Sequence, residues 1–141
     1  VHFFNRIIPP INPASLVVYA GENDLGDGRA PEDVLQSFRS LAALTDRLPQ
    51  RSLPLAFLSI KLSPARLAIA DQIHRANALI REEIACRPNS LFIDVLHPML
   101  ASSGLPRPEL FLPDGLHLSP MGYERWTEVV NGVLREAGAV E

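Results

Sequence analysis

Three short apolar runs alternate with segments of helical periodicity along this chain. The runs occupy residues 16–20, 55–60 and 91–95, and the periodic segments occupy 31–48, 66–85 and 120–135. Short β-branched and aromatic runs bounded by turn residues predict strands. A regular strand–helix alternation predicts a parallel sheet with right-handed crossovers. We therefore expect an α/β fold of about three parallel strands with flanking helices.

Proline and capping residues mark the predicted helix ends. Pro31 suits the first position of a helix, and the following acidic residues suit the positive end of its dipole. Pro49 is predicted to end that helix. At the last helix, Ser119 is predicted to be the N-cap and Pro120 the first helical residue. Residues 98–113 contain several prolines and little periodicity, which predicts a long and functional loop.

The amino-terminal residues have an amphipathic pattern without an evident start. Apolar residues at positions 1, 4, 7 and 8 share one helical face, and Pro9 and Pro10 are predicted to stop the helix. The segment lacks the basic stretch, apolar core and small-residue cleavage site that follow one another in a signal peptide. The first strand would also form an exposed apolar edge unless another strand covers it. We expect residues 1–141 to be one partial domain, the carboxyl-terminal part of a longer one.

Composition and charge narrow the possible partners. The chain has 141 residues, of which 47% are hydrophobic and 21% charged, as is typical of one globular domain. Its net charge is −3 and it contains no block of Lys or Arg, so we expect no nucleic-acid partner. No apolar run approaches the length that spans a bilayer. The single cysteine, Cys86, is predicted to be a free, partly buried thiol.

Two polar motifs carry the candidate chemistry. The first strand ends in Gly21-Glu22-Asn23-Asp24, at the sheet edge where ligands bind in open α/β folds. There the amide of Asn23 can donate to a developing oxyanion, although an Asn can also stabilise a turn through its own backbone.

The second motif pairs an acid with an imidazole. Asp114 precedes His117 by three residues, so its carboxylate can accept from Nδ1–H and leave Nε2 to take a proton. Capping by Asp114 and a surface role for His117 are the structural alternatives. A metal site would need His2, His74 or His97, and none has tight ligand spacing with Asp114.

Weaker candidates surround these motifs. Ser59 and Ser63 lie near the end of the second strand, but neither is in a nucleophile elbow. The acidic loop of Glu22, Asp24 and Asp27 is predicted to be solvated. Tyr123 and Trp126 are predicted to be packing residues of the last helix.

Together the motifs resemble those of the SGNH (GDSL-type) hydrolases, a family of esterases and lipases. Residues 17–24 are similar to the family's Gly-x-Asn-Asp block, and 114–119 to its Asp-x-x-His block. The resemblance implies a three-layer α/β/α, flavodoxin-like fold and a serine ester hydrolase that uses no cofactor and no metal. It also implies that Asn23 is an oxyanion donor, His117 the general base and Asp114 its orienting partner.

Two parts of the family pattern are absent, the block with the nucleophile and the glycine that follows the family's second strand and supplies another oxyanion donor. The Gly-Asp-Ser block that carries the family's nucleophile does not occur here, so we expect the serine on an upstream segment and an inactive isolated fragment. The alternatives are a non-catalytic pseudo-enzyme or binding module of the same fold, and a metal-dependent hydrolase. The resemblance leaves open whether the substrate is a carbohydrate, lipid or simple ester, as well as the localisation and the oligomeric state.

Overall fold

The fold is an α/β arrangement around one small parallel sheet, seen in a computed structural model that describes residues 1–48 and 53–138. The strands are β1 (Leu16–Val18), β2 (Leu55–Leu58) and β3 (Ser90–Ile93). They pair in parallel in the order β1-β2-β3, with Leu55 aligned between Leu16 and Ser90. The predicted parallel sheet is therefore confirmed.

Helices connect and cover the strands. They are α1 (Phe4–Ile11), α2 (Glu22–Gly26), α3 (Pro31–Asp46), α4 (Ala70–Ala85) and α5 (Pro120–Glu136). Short 3₁₀ helices span Pro64–Ile69, His97–Met99 and Pro108–Leu110. Pro49, which was predicted to end α3, lies outside the described residues.

Side chains alternate between the two faces of the sheet and build two apolar layers. On one face, Leu55 and Phe57 of β2 pack with the buried stripes of α3 and α4. On the other face, Ala56 and Leu58 pack with Trp126 and the following turns of α5. This period-two alternation produces the predicted three-layer α/β/α fold, because each face of the sheet needs its own helical cover.

The edge strand β1 is only partly covered. Val17 is 44% exposed, whereas all four residues of β2 are buried. Val17 points to the face opposite its neighbours in the strand, since successive side chains alternate. The exposed apolar edge that the sequence predicted is present.

Beyond the carboxyl ends of β2 and β3, side chains bond the backbone in place of strand partners. The Asn77 side chain accepts from the Ile60 amide at 2.7 Å and donates to the Ile60 carbonyl at 2.8 Å. The Ser59 hydroxyl accepts from the amides of Val95 and Leu96, both at 2.9 Å. These bonds fix the backbone just beyond β2 and β3, at the carboxyl end of the sheet.

Two helix predictions need correction. The first helix does not stop at Pro9 and Pro10 but continues to Ile11, because proline's fixed φ is itself helical and the helix ends at a left-handed Asn12. The helix predicted over 66–85 is a 3₁₀ helix up to Ile69, and only α4 is α-helical.

The predicted exposure of two side chains is also wrong. Cys86 is exposed rather than partly buried, because it caps the end of α4 away from the inward stripe. Tyr123 is 60% exposed, whereas Trp126 does pack, with its ring 4.9 Å from the Tyr19 ring.

Candidate active site

The first motif forms a tight turn followed by a single helical turn. Gly21 has φ +104°, a conformation that side chains rarely adopt, and it precedes α2. A Cβ added to Gly21 would lie 2.7 Å from Val34 Cγ1 and 2.9 Å from Ile60 Cδ1. Only glycine therefore allows the chain to turn this close to the core, and the sequence had not predicted the helix that follows.

Asn23 lies on the outer side of α2 with its amide free. Its residue is exposed, and its backbone carbonyl accepts from the Asp27 amide at 2.8 Å. Within residues 1–48 and 53–138 its side chain makes no hydrogen bond. In the described part of the chain, the amide therefore makes no bond of the turn-stabilising kind that was the structural alternative.

The second motif forms a compact acid–imidazole pair. The Asp114 Oδ2 atom lies 2.7 Å from His117 Nδ1. Its Oδ1 atom accepts from the backbone amides of Leu116 at 2.9 Å and His117 at 3.0 Å. These three contacts hold the imidazole in one orientation, and Nε2 has no partner in the part of the chain that the structure describes.

The electrostatics of this pair keep the Asp114 carboxylate ionised. The hydrogen bond from the His117 side chain lowers the pKa of Asp114 from 3.8 to about 2, with help from the two backbone amides. The carboxylate therefore stays ionised at neutral pH and can stabilise an imidazolium. The His117 side chain is 70% exposed, so its free nitrogen is accessible.

Neighbouring backbone contacts support the turn that carries the pair. The Leu112 amide donates to the His117 carbonyl at 2.8 Å. As predicted, Ser119 caps α5, since its hydroxyl accepts from the Gly122 amide at 3.2 Å. His117 is thereby held between two bonded segments rather than on a free loop.

Both motifs contact the same segment, residues 63–66. On one side, Ser63 Oγ donates to Glu22 Oε1 at 3.3 Å. On the other side, the Ala65 amide donates to the carbonyl of Gly115 at 3.0 Å. Asn23 follows Glu22, and Gly115 lies between Asp114 and His117, so the segment brings the two motifs to one end of the sheet.

A second acid–imidazole pair, not recognised from the sequence, lies at the end of β3. Asp94 Oδ2 lies 2.6 Å from His97 Nδ1, with the same three-residue spacing as the first pair. Burial raises the pKa of Asp94, but hydrogen bonds from His97 outweigh it and leave that pKa below 3.8. Arg81 also contacts Asp94, at 3.2 Å. The repeated Asp-x-x-His spacing was the signal that could have revealed this pair.

Glu22 is not solvated, which corrects the prediction for the acidic loop. It is 8% exposed because the first turn of α2 directs it inward, where it forms an ion pair with Lys61. Tyr19 Oη donates to the same carboxylate at 2.8 Å. Burial raises the pKa of the Tyr19 phenol well above its ordinary value, and the Glu22 charge raises it further, so Tyr19 keeps its proton.

The two serines near the second strand are enclosed. Ser59 is 1% exposed and Ser63 is 0% exposed, and each hydroxyl is bonded to a neighbouring segment. Neither can reach an ester carbonyl without rearrangement. Their roles in this structure are to bind the backbone beyond β3 and the carboxylate of Glu22.

The described residues contain no cluster of side chains that could hold a metal ion, and no helix among them is long and apolar enough to cross a bilayer.

A groove of about 830 Å³ lies beside Gly21 and the uncovered edge of the sheet, with Val18, Phe38 and Phe57 in its lining. This groove provides concave space next to the first motif.

The chain is similar to a family of known proteins. The profile of a family described as GDSL-like Lipase/Acylhydrolase matches residues 4–125. No curated protein is significantly similar to the chain.

Solved structures share its fold at low identity. A GDSL-like lipase from Bacteroides thetaiotaomicron VPI-5482 is 20% identical, with a TM-score of 0.73, over 96% of this chain and 69% of the lipase. A family 3 carbohydrate esterase from Clostridium thermocellum is 17% identical, with a TM-score of 0.64, over 96% of this chain and 65% of the esterase.

The chain is shorter than these relatives. A Streptococcus pneumonia structure whose description refers to platelet activating factor is 20% identical, with a TM-score of 0.75, over 85% of this chain. The chain spans 59% of that protein's length.

Proposed function

The chain belongs to the GDSL-like lipase/acylhydrolase family, and from that premise we propose that it supplies the base and oxyanion machinery of a serine ester hydrolase. In this proposal the nucleophilic serine lies on a segment outside these 141 residues, and the chain is one partial domain of that hydrolase. The observation that carries the proposal is the fixed Asp114–His117 pair, which lies at the same end of the sheet as Asn23, with neither His117 Nε2 nor the Asn23 amide bonded by any residue that the structure describes.

Each residue has a defined role in the proposed acyl transfer. The serine oxygen attacks the ester carbonyl carbon, and its proton passes to Nε2 of His117. The carbonyl electrons move to oxygen, where the Asn23 amide donates a hydrogen bond. Asp114 holds the imidazole and stabilises its charged form.

The second half of the reaction follows the same route. The tetrahedral intermediate collapses, the carbon–oxygen bond to the alcohol breaks, and His117 returns the proton to that alcohol. Water then attacks the acyl-enzyme and gives a proton to His117, the carbon–oxygen bond to serine breaks, and His117 returns the proton to the serine oxygen as the acid leaves. No metal or organic cofactor enters the proposed cycle.

The proposed substrate is an acyl ester of a small molecule, carbohydrate or lipid. The names of the relatives support this range, since they include a lipase and a carbohydrate esterase. The loop of residues 105–113 joins the site through the Leu112–His117 backbone bond, so we propose that it shapes the substrate pocket.

The two acid–imidazole pairs give a matched test. In the full-length protein, His117→Ala should lower kcat for p-nitrophenyl acetate by at least about 10²-fold, the effect of losing a general base. The control His97→Ala should leave kcat unchanged, since the described residues that line the cavity at His97 come from α4 and the ends of β2 and β3 and include no residue of either motif. Full activity in His117→Ala would refute the assignment.

A separate measurement addresses the nucleophile. Residues 1–141 alone should show no turnover, and the full-length protein should be labelled on a serine by a fluorophosphonate. Turnover by the isolated 141 residues that disappears in His117→Ala would show that the nucleophile lies within them. An unlabelled, inactive full-length protein would indicate a non-catalytic member of the fold.

A further inference from the structure

A buried ion pair involves Glu22, the residue that precedes the proposed oxyanion donor Asn23. The Lys61 ammonium donates to the Glu22 carboxylate, and the two residues are 4% and 8% exposed. Tyr19 Oη donates to the same oxygen of Glu22, and Ser63 Oγ donates to the other. Both oxygens of Glu22 are thus bonded from separate segments of the chain.

Such a pair is a poor way to gain stability alone. Removing two charges from water is costly, and well-packed apolar residues are often as stabilising or more so. What an ion pair adds over an apolar contact is direction, because hydrogen bonds fix distance and angle. The position of the Glu22–Lys61 ion pair therefore indicates its role better than its contribution to stability does.

The pair anchors a helix that is too short to fix itself. The helix α2 has only five residues and no side-chain cap at its start, and isolated helices of this length are unstable. Successive residues of a helix point about 100° apart. Glu22 points inward and is bonded, so Asn23 points outward. The direction of the Asn23 amide is therefore tied to the position of Glu22.

The other member of the pair is held firmly. Lys61 follows Ile60, whose backbone amide and carbonyl are both bonded by Asn77 of α4. Tyr19 extends the network to Trp126 of α5, the helix that begins just after His117. The anchor of Asn23 is thus connected to the helices on both faces of the sheet.

We propose that the Glu22–Lys61 ion pair is a positioning device that orients the Asn23 amide toward the developing oxyanion. The proposal rests on the proposed ester hydrolysis. Because the oxyanion exists only in the transition state, loss of the pair should lower kcat and leave KM nearly unchanged.

The test uses a double-mutant cycle in the full-length protein with p-nitrophenyl acetate. Lys61→Met should lower kcat about 10- to 100-fold, the effect of a small misplacement of a catalytic group. Asn23→Ala alone should lower it about 10²- to 10³-fold. In the Asn23→Ala background, Lys61→Met should have no further effect, because it acts through Asn23. Additive losses would overturn the proposal.

A charge-neutral variant separates positioning from stability. The double variant Glu22→Gln, Lys61→Met removes both charges and keeps an acceptor for Tyr19, so its unfolding midpoint should return toward that of the wild type. Its kcat should stay low. Recovery of kcat together with stability would show that the pair is only structural.

A spectroscopic readout is independent of turnover. In ¹⁵N-labelled protein, Lys61→Met should shift the side-chain amide signal of Asn23 and leave that of the exposed Asn131 in place. An unmoved Asn23 signal would overturn the positioning role whether or not the protein hydrolyses esters. Conversely, a shifted signal in a protein without esterase activity would refute the proposed function alone.

Discussion

Replacing Gly21 by alanine should destabilise the protein more than the same change at Gly28. Both glycines have positive φ, +104° and +85°, so each substitution places a side chain in a conformation that costs about 1–2 kcal/mol. The Gly21 Cβ would also lie 2.7 Å from Val34 and 2.9 Å from Ile60, whereas nothing lies within 4 Å of a Cβ at Gly28. Overpacking of this kind costs about 1–3 kcal/mol.

The expected losses are therefore about 2–5 kcal/mol for Gly21→Ala and about 1–2 kcal/mol for Gly28→Ala. The lower entropy of the unfolded chain that alanine brings is common to both variants and cancels in the comparison. Urea unfolding followed by circular dichroism measures the difference, since each kcal/mol moves the midpoint by about 0.3–1 M. Under the proposed function, Gly21→Ala should also lower kcat, because Gly21 begins the turn that carries Asn23.

Equal losses in the two variants would refute this reasoning. They would mean that Val34 and Ile60 yield to the added methyl group at no cost, and that the turn before α2 is not held against the core. A loss in Gly28→Ala that exceeds the loss in Gly21→Ala would contradict the assigned backbone conformation as well.

Three further substitutions test other parts of the site. Asn77→Leu leaves the backbone amide and carbonyl of Ile60 unpaired, so the free energy of unfolding in urea titrations should fall by about 2–5 kcal/mol. The control Asn131→Leu, at an exposed position, should change it by at most about 0.5 kcal/mol. Gly122→Ala places a Cβ 2.2 Å from the Leu110 carbonyl oxygen, so the free energy of unfolding from thermal unfolding should fall by about 3 kcal/mol or more. In the control Gly132→Ala, the added Cβ meets open space among the described residues, so this free energy should rise by up to about 1 kcal/mol. Carboxyl NMR should give Asp114 a pKa near 2 that rises toward 3.8 in His117→Ala. The pKa of Asp114 is lower in the folded chain than the value of about 3.9 in the unfolded chain, so its ionised carboxylate stabilises the fold above a pH of about 3.9. This stabilisation disappears as the pH falls toward 2. An unchanged Asp114 pKa in His117→Ala, or equal stability losses within either of the other pairs, would contradict the corresponding contact.

The sequence alone determined the order of elements and the local part of the site. Short apolar runs that alternate with helical stripes predicted the parallel sheet, because such a pattern leaves few alternatives. Its three layers were implied by the family resemblance. The contact between Asp114 and His117 was also predictable, since residues three apart within one turn can meet whatever the rest of the chain does.

The tertiary structure decided which side chains are buried and which distant groups meet. Glu22 and Lys61 are 39 residues apart, and only the path of the chain beyond β1 and β2 turns an acidic loop into a buried ion pair. The same holds for the bond of Asn77 to Ile60 and for the exposure of Cys86 and Tyr123. Spacing in sequence determines local contacts, whereas desolvation and long-range contacts depend on how the layers pack. The residues that would direct Asn23 could therefore be identified only from the folded chain.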